Sequence, residues 1–173
     1  AATDPLSNTF DVVDYSGYDN HGKTKNFEGD ERGNQGVLGT NSFNFDGEND
    51  YFRIDTTEGN LDTPNELTIT FWAKREGNGA GSNPRLLSRG SFFQNYQFLE
   101  DNFLNSDKSM AFHIQTSSGG YTVDDNEKIP NSWTLYTGTY NGSLLRLYRN
   151  GDLKAEASAS GSIPTNNNPI GIG

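Results

Sequence analysis

Two Asn-Gly pairs, Asn141-Gly142 and Asn150-Gly151, interrupt an otherwise strand-like stretch across residues 132–159. Each lies between runs of Thr, Tyr, Leu and Trp. Asn-Gly tolerates the two positive φ angles of a type I′ turn, whose twist matches that of the strands it joins. The spacing predicts three successive antiparallel strands at about 132–140, 143–149 and 152–158. In the middle strand, Leu145 and Leu147 alternate with Arg146 and Tyr148, which gives one buried face and one wetter face. A chain that commits this much of itself to a β-meander is restricted to antiparallel sheet architectures.

The rest of the sequence agrees. Only 31% of residues are hydrophobic, yet there are 11 Phe and 8 Tyr, and bulky groups on alternating positions suit thin sheets. No window sustains three turns of helical periodicity. Residues 66–74 form the cleanest strand, with Leu67, Ile69, Phe71 and Ala73 on one face and Thr68, Thr70, Trp72 and Lys74 on the other. Further strands are expected at 10–13, 42–46, 50–55, 85–89, 95–100, 109–115 and 121–123, with one more beginning near Ile170. About eleven short strands at this spacing predict a single all-β domain over residues 1–173. The architecture expected is a two-sheet antiparallel sandwich of jelly-roll type.

With 23 acidic and 13 basic residues, the formal net charge is −10. That argues against nucleic acid, whose phosphates need clustered Lys and Arg, and against an anionic membrane surface. Without cysteine there are no disulfides, thiol nucleophiles or thiolate metal sites. No apolar run is long enough to span a bilayer. The opening Ala-Ala-Thr-Asp-Pro carries no signal peptide, and reads as a processed start or as a boundary within a longer protein.

Several segments, taken in order, resemble the bacterial laminin-G-like modules of the concanavalin A-like lectin/glucanase superfamily. They are Asp14–Gly22 (Asp-x-Ser-Gly…Asn-His-Gly), Phe45–Tyr51 (Phe-Asp-Gly-x-x-Asp-Tyr) and Thr68–Trp72, followed by Leu86-Leu87-Ser88-Arg89-Gly90. The series ends with Trp133–Gly151 and Pro169-Ile-Gly-Ile-Gly173. The resemblance implies a non-catalytic carbohydrate-binding module, secreted as part of a larger polysaccharide-degrading or adhesive protein. A catalytic lyase or glycosidase of the same fold and a protein-binding adhesion module are the alternatives. Thr134 and Leu135 depart from the family, which usually has basic or aromatic residues after the Trp. Family members also continue past the Gly-Ile-Gly strand into a closing strand beside the N-terminal one. The 10–13 edge is therefore expected to pair with a symmetric copy or with a tail beyond residue 173.

Glucanases of the superfamily place Glu-x-Asp-x-x-Glu on one strand. The nearest run here, Glu48-Asn-Asp50-Tyr-Phe-Arg53, ends in Arg, so the acid pair of glycoside cleavage is missing from it. His113 and Gln115 share one strand face, in the reverse order of the Gln-x-His pair of jelly-roll alginate lyases. The acidic run 124–127 reads as a solvated turn, and His21 as a structural turn residue. For sugar contact, the aromatic and arginine residues expected to share a surface are Trp72, Arg85, Arg89, Phe93, Tyr96 and Tyr121. For metal, Asp14 with Asn20 and Asp46 with Asp50 flank two turns, and the resemblance implies a structural Ca²⁺ near them. Capping of those turns by the same side chains is the competing reading.

Overall fold

The computed structural model describes residues 12–27, 32–34, 36–37, 41–56, 61–77, 84–91, 93–104 and 107–173. The described strands are β1 (Gly22–Lys25), β2 (Arg32–Asn34), β3 (Ser42–Phe43), β4 (Tyr51–Ile54), β5 (Leu67–Ala73), β6 (Arg85–Arg89) and β7 (Tyr96–Leu104). They continue as β8 (Asp107–Thr116), β9 (Gly119–Asp124), β10 (Thr134–Tyr140), β11 (Leu144–Arg149), β12 (Asp152–Ser158) and β13 (Ile170–Ile172). There is no helix among the described residues. Two large antiparallel sheets face each other, ordered β1-β4-β13-β6-β7-β8-β9 and β12-β11-β10-β5, and β2-β3 forms a small ribbon. This is the expected all-β concanavalin A-like sandwich.

Register explains the core. One row across the larger sheet runs Thr24, Phe52, Ile172, Leu87, Phe98, Phe112 and Val123, so the bulky groups of successive strands fall on the same inner face. Tyr136, Tyr140, Leu145 and Leu147 close over them from the smaller sheet, all nearly inaccessible to solvent. Strand β5 follows the alternation read from the sequence, with Trp72 outward and Phe71 edge-on to Phe98 at 4.9 Å. Four phenylalanines, Phe27, Phe43, Phe45 and Phe52, pack together beside β4. The smaller sheet ends at β5, and beside it the inner faces open into a cleft of about 1220 Å³ bordered by Phe52, Phe71, Leu87, Trp133 and Tyr136.

The meander forms as expected, with one turn corrected. Asn150 and Gly151 have φ of 54° and 89°, as a type I′ turn requires. At the other pair only Gly142 is positive. There Asn141 Oδ1 accepts hydrogen bonds from the Ser143 and Leu144 N–H groups, and this local cap replaces the two-residue turn.

The expectation for the N-terminal edge also changes. Phe10 and Asp11 lie outside the described residues. Val12 exchanges two backbone hydrogen bonds with Gly22, at 3.1 and 2.9 Å, so the chain itself supplies that residue's partner.

Gly138 sits mid-strand in β10 because nothing larger fits. A Cβ there would stand 2.6 Å from both Phe98 and Phe112. Gly138→Ala is therefore expected to lower stability by about 1–3 kcal/mol through overpacking, read as a lower urea midpoint at unchanged m-value.

Candidate functional site

Alternation that sends one row of the larger sheet inward sends the next row outward. The outward row is continuous across all seven strands: Lys23, Arg53, Gly171, Ser88, Gln97, His113 and Thr122. It divides into a closed polar centre and an open flank.

At the centre, Gln97 and His113 stand directly opposite each other on β7 and β8, only 1% and 5% exposed. Neither amide atom of Gln97 has a hydrogen-bond partner, and neither does Nε2 of His113. The other ring nitrogen of His113 shares a 2.8 Å hydrogen bond with Thr122 Oγ1. The Phe93 ring lies 4.3 Å from the imidazole, held by a backbone φ of 57° that is uncommon for a bulky residue. Burial drives the His113 pKa down to about 4, so the ring is neutral at ordinary pH.

The flank over β4, β13 and β6 is open. Gly171 contributes no side chain, and the surface sinks into a groove of about 520 Å³ bordered by Tyr51, Arg53, Arg85, Ser88 and Gly90. Arg53 Nε donates to Asp55 Oδ1 at 2.7 Å, which fixes the guanidinium at the groove wall. Tyr51 and Arg53 were overlooked in the sequence, although the outward alternation Tyr51, Arg53, Asp55 is visible there. Gln97 is a different case, because only the strand register brings it to His113. Gln115, the neighbour chosen from the sequence, instead donates to the Thr116 carbonyl.

The six residues expected to share a sugar-binding surface are dispersed. Arg85 borders the groove, and Phe93 covers His113. Arg89 and Tyr96 pair across β6 and β7 on the inner side and are 1% and 4% exposed, so neither offers a face to a ligand. Burial raises the Tyr96 pKa. Trp72 is exposed, but on the other sheet. Tyr121 packs against the core, with its hydroxyl 3.2 Å from Ser160 Oγ. The acidic run is corrected as well: Asp125 is buried and pairs with Arg149, and Asp124 Oδ2 accepts from the Ser109 hydroxyl. His21 is structural, its Nδ1 accepting the Asp14 N–H at 3.0 Å.

The two acidic turns do not meet. Asp14 and Asn20 precede β1, while Asp46 and Asp50 precede β4, and the pairing of Gly22 with Ile54 and Lys25 with Tyr51 puts these approaches at opposite ends of the ladder. Three residues of strand separate them by about 10 Å, so one ion cannot bridge both. The Asp14 carboxylate accepts from the Ser16 N–H and hydroxyl and from the Asn20 N–H, which lowers its pKa. The Glu48, Asn49 and Asp50 backbones lower that of Asp46. Asp50 differs: Oδ2 accepts from the Asp46 N–H, while Oδ1 is buried without a partner. Among the described residues no three His, Cys, Asp or Glu side chains cluster as a metal site.

Residues 46–173 match the Laminin_G_3 family model, described as the concanavalin A-like lectin/glucanases superfamily. No curated protein matches. Among solved structures, domain 4 of AbnA, an extracellular arabinanase from Geobacillus stearothermophilus in complex with arabinotriose, aligns at TM-score 0.62 and 19% identity. That alignment covers 88% of this chain and 73% of the domain. The receptor binding domain of botulinum neurotoxin D gives TM-score 0.63 and 18% identity, covering 93% of this chain and 41% of that one. Domains LG4-5 of the mouse laminin alpha1 chain give 0.53 and 18%, covering 69% and 30%. The chain thus spans less than half of the toxin and laminin fragments.

The neutral His113 has a consequence for stability. Its folded pKa lies below the ordinary 6.5, so unfolding at acid pH takes up a proton. The contribution is complete above about 6.5 and is lost as pH falls through about 4. Urea midpoints measured from pH 7.5 to 3.5 should show a steeper acid decline in the wild type than in His113→Gln, and parallel behaviour above pH 7.

Proposed function

The chain belongs to the Laminin_G_3 family of the concanavalin A-like lectin/glucanases superfamily, and on that premise we propose that it is a non-catalytic carbohydrate-binding module of a secreted polysaccharide-degrading or adhesive protein. The observation that carries this reading is the outer-face groove. It sets an exposed tyrosine, two arginines and a serine around a glycine floor. Sugar hydroxyls both donate and accept, which suits the Ser88 hydroxyl and the arginine donors at the groove wall, and a pyranose face suits the Tyr51 ring. The arabinotriose held by the arabinanase domain supports a glycan as the class of ligand.

A catalytic reading has less support. In the Glu48–Arg53 run, Glu48 and Asp50 border the groove, but Asp50 is buried with Oδ2 engaged by the Asp46 N–H, and the outward strand positions are Tyr51 and Arg53, so the strand itself presents no carboxylate pair. Incubation with a polysaccharide panel distinguishes the readings. Retention without new reducing ends or unsaturated uronate absorbance is expected, with Kd of about 1 µM to 1 mM. Released product would make the protein an enzyme, and neither retention nor product would favour a protein partner. Tyr51→Ala should weaken retention about three- to tenfold by removing the aromatic face.

Calcium is proposed at the Asp46–Asp50 turn alone. The unpartnered Asp50 Oδ1 and the Asp46 carboxylate are hard oxygen donors at turn spacing, the chemistry Ca²⁺ takes. Binding to the folded state alone stabilises it by about 4 kcal/mol at a thousandfold excess over Kd, or roughly ten degrees in melting temperature. Asp50→Asn should cancel that rise and Asp14→Ala should not. Coincident melts in EDTA and in millimolar Ca²⁺ would leave the turn as a turn.

A further inference from the structure

The open flank carries a charge pattern unlike the rest of this acidic chain. Lys23 and Arg53 are directly opposed on β1 and β4, and Lys25 faces Tyr51 one outward step along the same pair. All four side chains point away from the core, and all are exposed. Like charges directly opposed across strands destabilise a sheet. Seven basic residues elsewhere hold a carboxylate: Lys74, Arg75, Arg89, Lys108, Arg146, Arg149 and Lys154. Lys23 and Lys25 hold none among the described residues, and Arg53 engages Asp55 through Nε, which leaves its two terminal nitrogens directed elsewhere. The net charge of −10 disfavours anions in general, and Glu48 and Asp50 border the same groove, so an anion is held only on the Lys23–Arg53 side of it.

We propose that this flank is an anionic-sugar subsite, in which Arg53 and Lys23 hold the carboxylate of a uronic acid or the sulfate of a sulfated sugar. Both anions present coplanar or near-coplanar oxygen pairs to the fork of a guanidinium, and Lys23 adds a point charge beside it. Tyr51 covers the sugar ring, Lys25 meets the next charged unit along the polymer, and Gly171 provides the floor. This rests on the reading of the chain as a glycan-binding module and names the class of glycan.

Gly171 also supplies a variant that blocks the groove without burdening the fold. A Cβ there would meet only Ser88 Oγ at 3.8 Å and the Phe52 carbonyl oxygen at 4.0 Å, and the residue's φ is not in the left-handed region. The full chain is passed over immobilised polygalacturonate, dextran sulfate, and neutral arabinan and dextran at low and high salt. Retention is expected on polygalacturonate or on dextran sulfate, which identifies carboxylate or sulfate as the anion, and it should weaken with salt. Lys23→Glu and Arg53→Glu should each weaken it at least about tenfold, the size of one lost charged hydrogen bond. Gly171→Leu should abolish it. Lys74→Glu changes the net charge equally on the other sheet and should leave retention intact, and melting temperatures confirm that each variant is folded. Retention confined to neutral polymers, or anionic retention indifferent to these substitutions, overturns the subsite and leaves the module reading standing. Retention on no polymer removes both.

Discussion

The geometry of the outer face depends on a cation buried at the inner side of the sheet. Arg89, 1% exposed, donates to the carbonyls of Leu61, Asn166 and Asn168, and one terminal nitrogen stands 2.6 Å from Asp62 Oδ1. Taking a guanidinium out of water costs several kcal/mol unless its donors are met, and here backbone oxygens and a carboxylate meet them. The return is positional. Asn166 and Asn168 lie just ahead of β13, so Arg89 fixes where that strand enters the sheet. Thr56 ties the Asn168 carbonyl from the other side, and Asn95 donates to the Pro164 carbonyl.

Strand β13 is three residues long, yet it alone joins β4 to β6 within the larger sheet. Everything beyond it on that side, namely β4 and β1 with Lys23, Lys25, Tyr51 and Arg53, is attached to the rest of the sheet's ladder through β13. The groove is thus a seam between two parts of one sheet, floored by the glycine of the strand that closes the seam. One wall, Tyr51 and Arg53, comes from β4, and the other, Arg85 and Ser88, from β6.

How much of this was legible follows from what each feature depends on. The meander and β5 could be read because alternation and turn residues are local signals. Arg89 was misread for an identifiable reason. Arg85 and Arg89 were grouped on one surface by residue type, but β6 and β7 shift register between Arg85 and Leu87. Beyond that bulge the parity reverses, and Arg89 turns inward with Leu87. Gln97 beside His113 could not be read either, since strand pairing is a long-range property. Calcium chemistry at Asp14 and Asp46 was read from residue type, whereas whether their turns meet is decided by the β1–β4 ladder.

The late position of β13 in the sequence also bears on the order in which the molecule assembles. Thr56 and the Asn168 carbonyl that it holds are 112 positions apart. The β1–β4 pair spans far fewer residues, but it has no slot in the sheet until residues 170–172 arrive. Such distant pairings are entropically slow to close. During synthesis the meander and the β7–β9 hairpins emerge as finished local units while the β4 edge waits, able to pair with whatever strand is near. The outer-face groove therefore exists only once β13 has taken its place between β4 and β6.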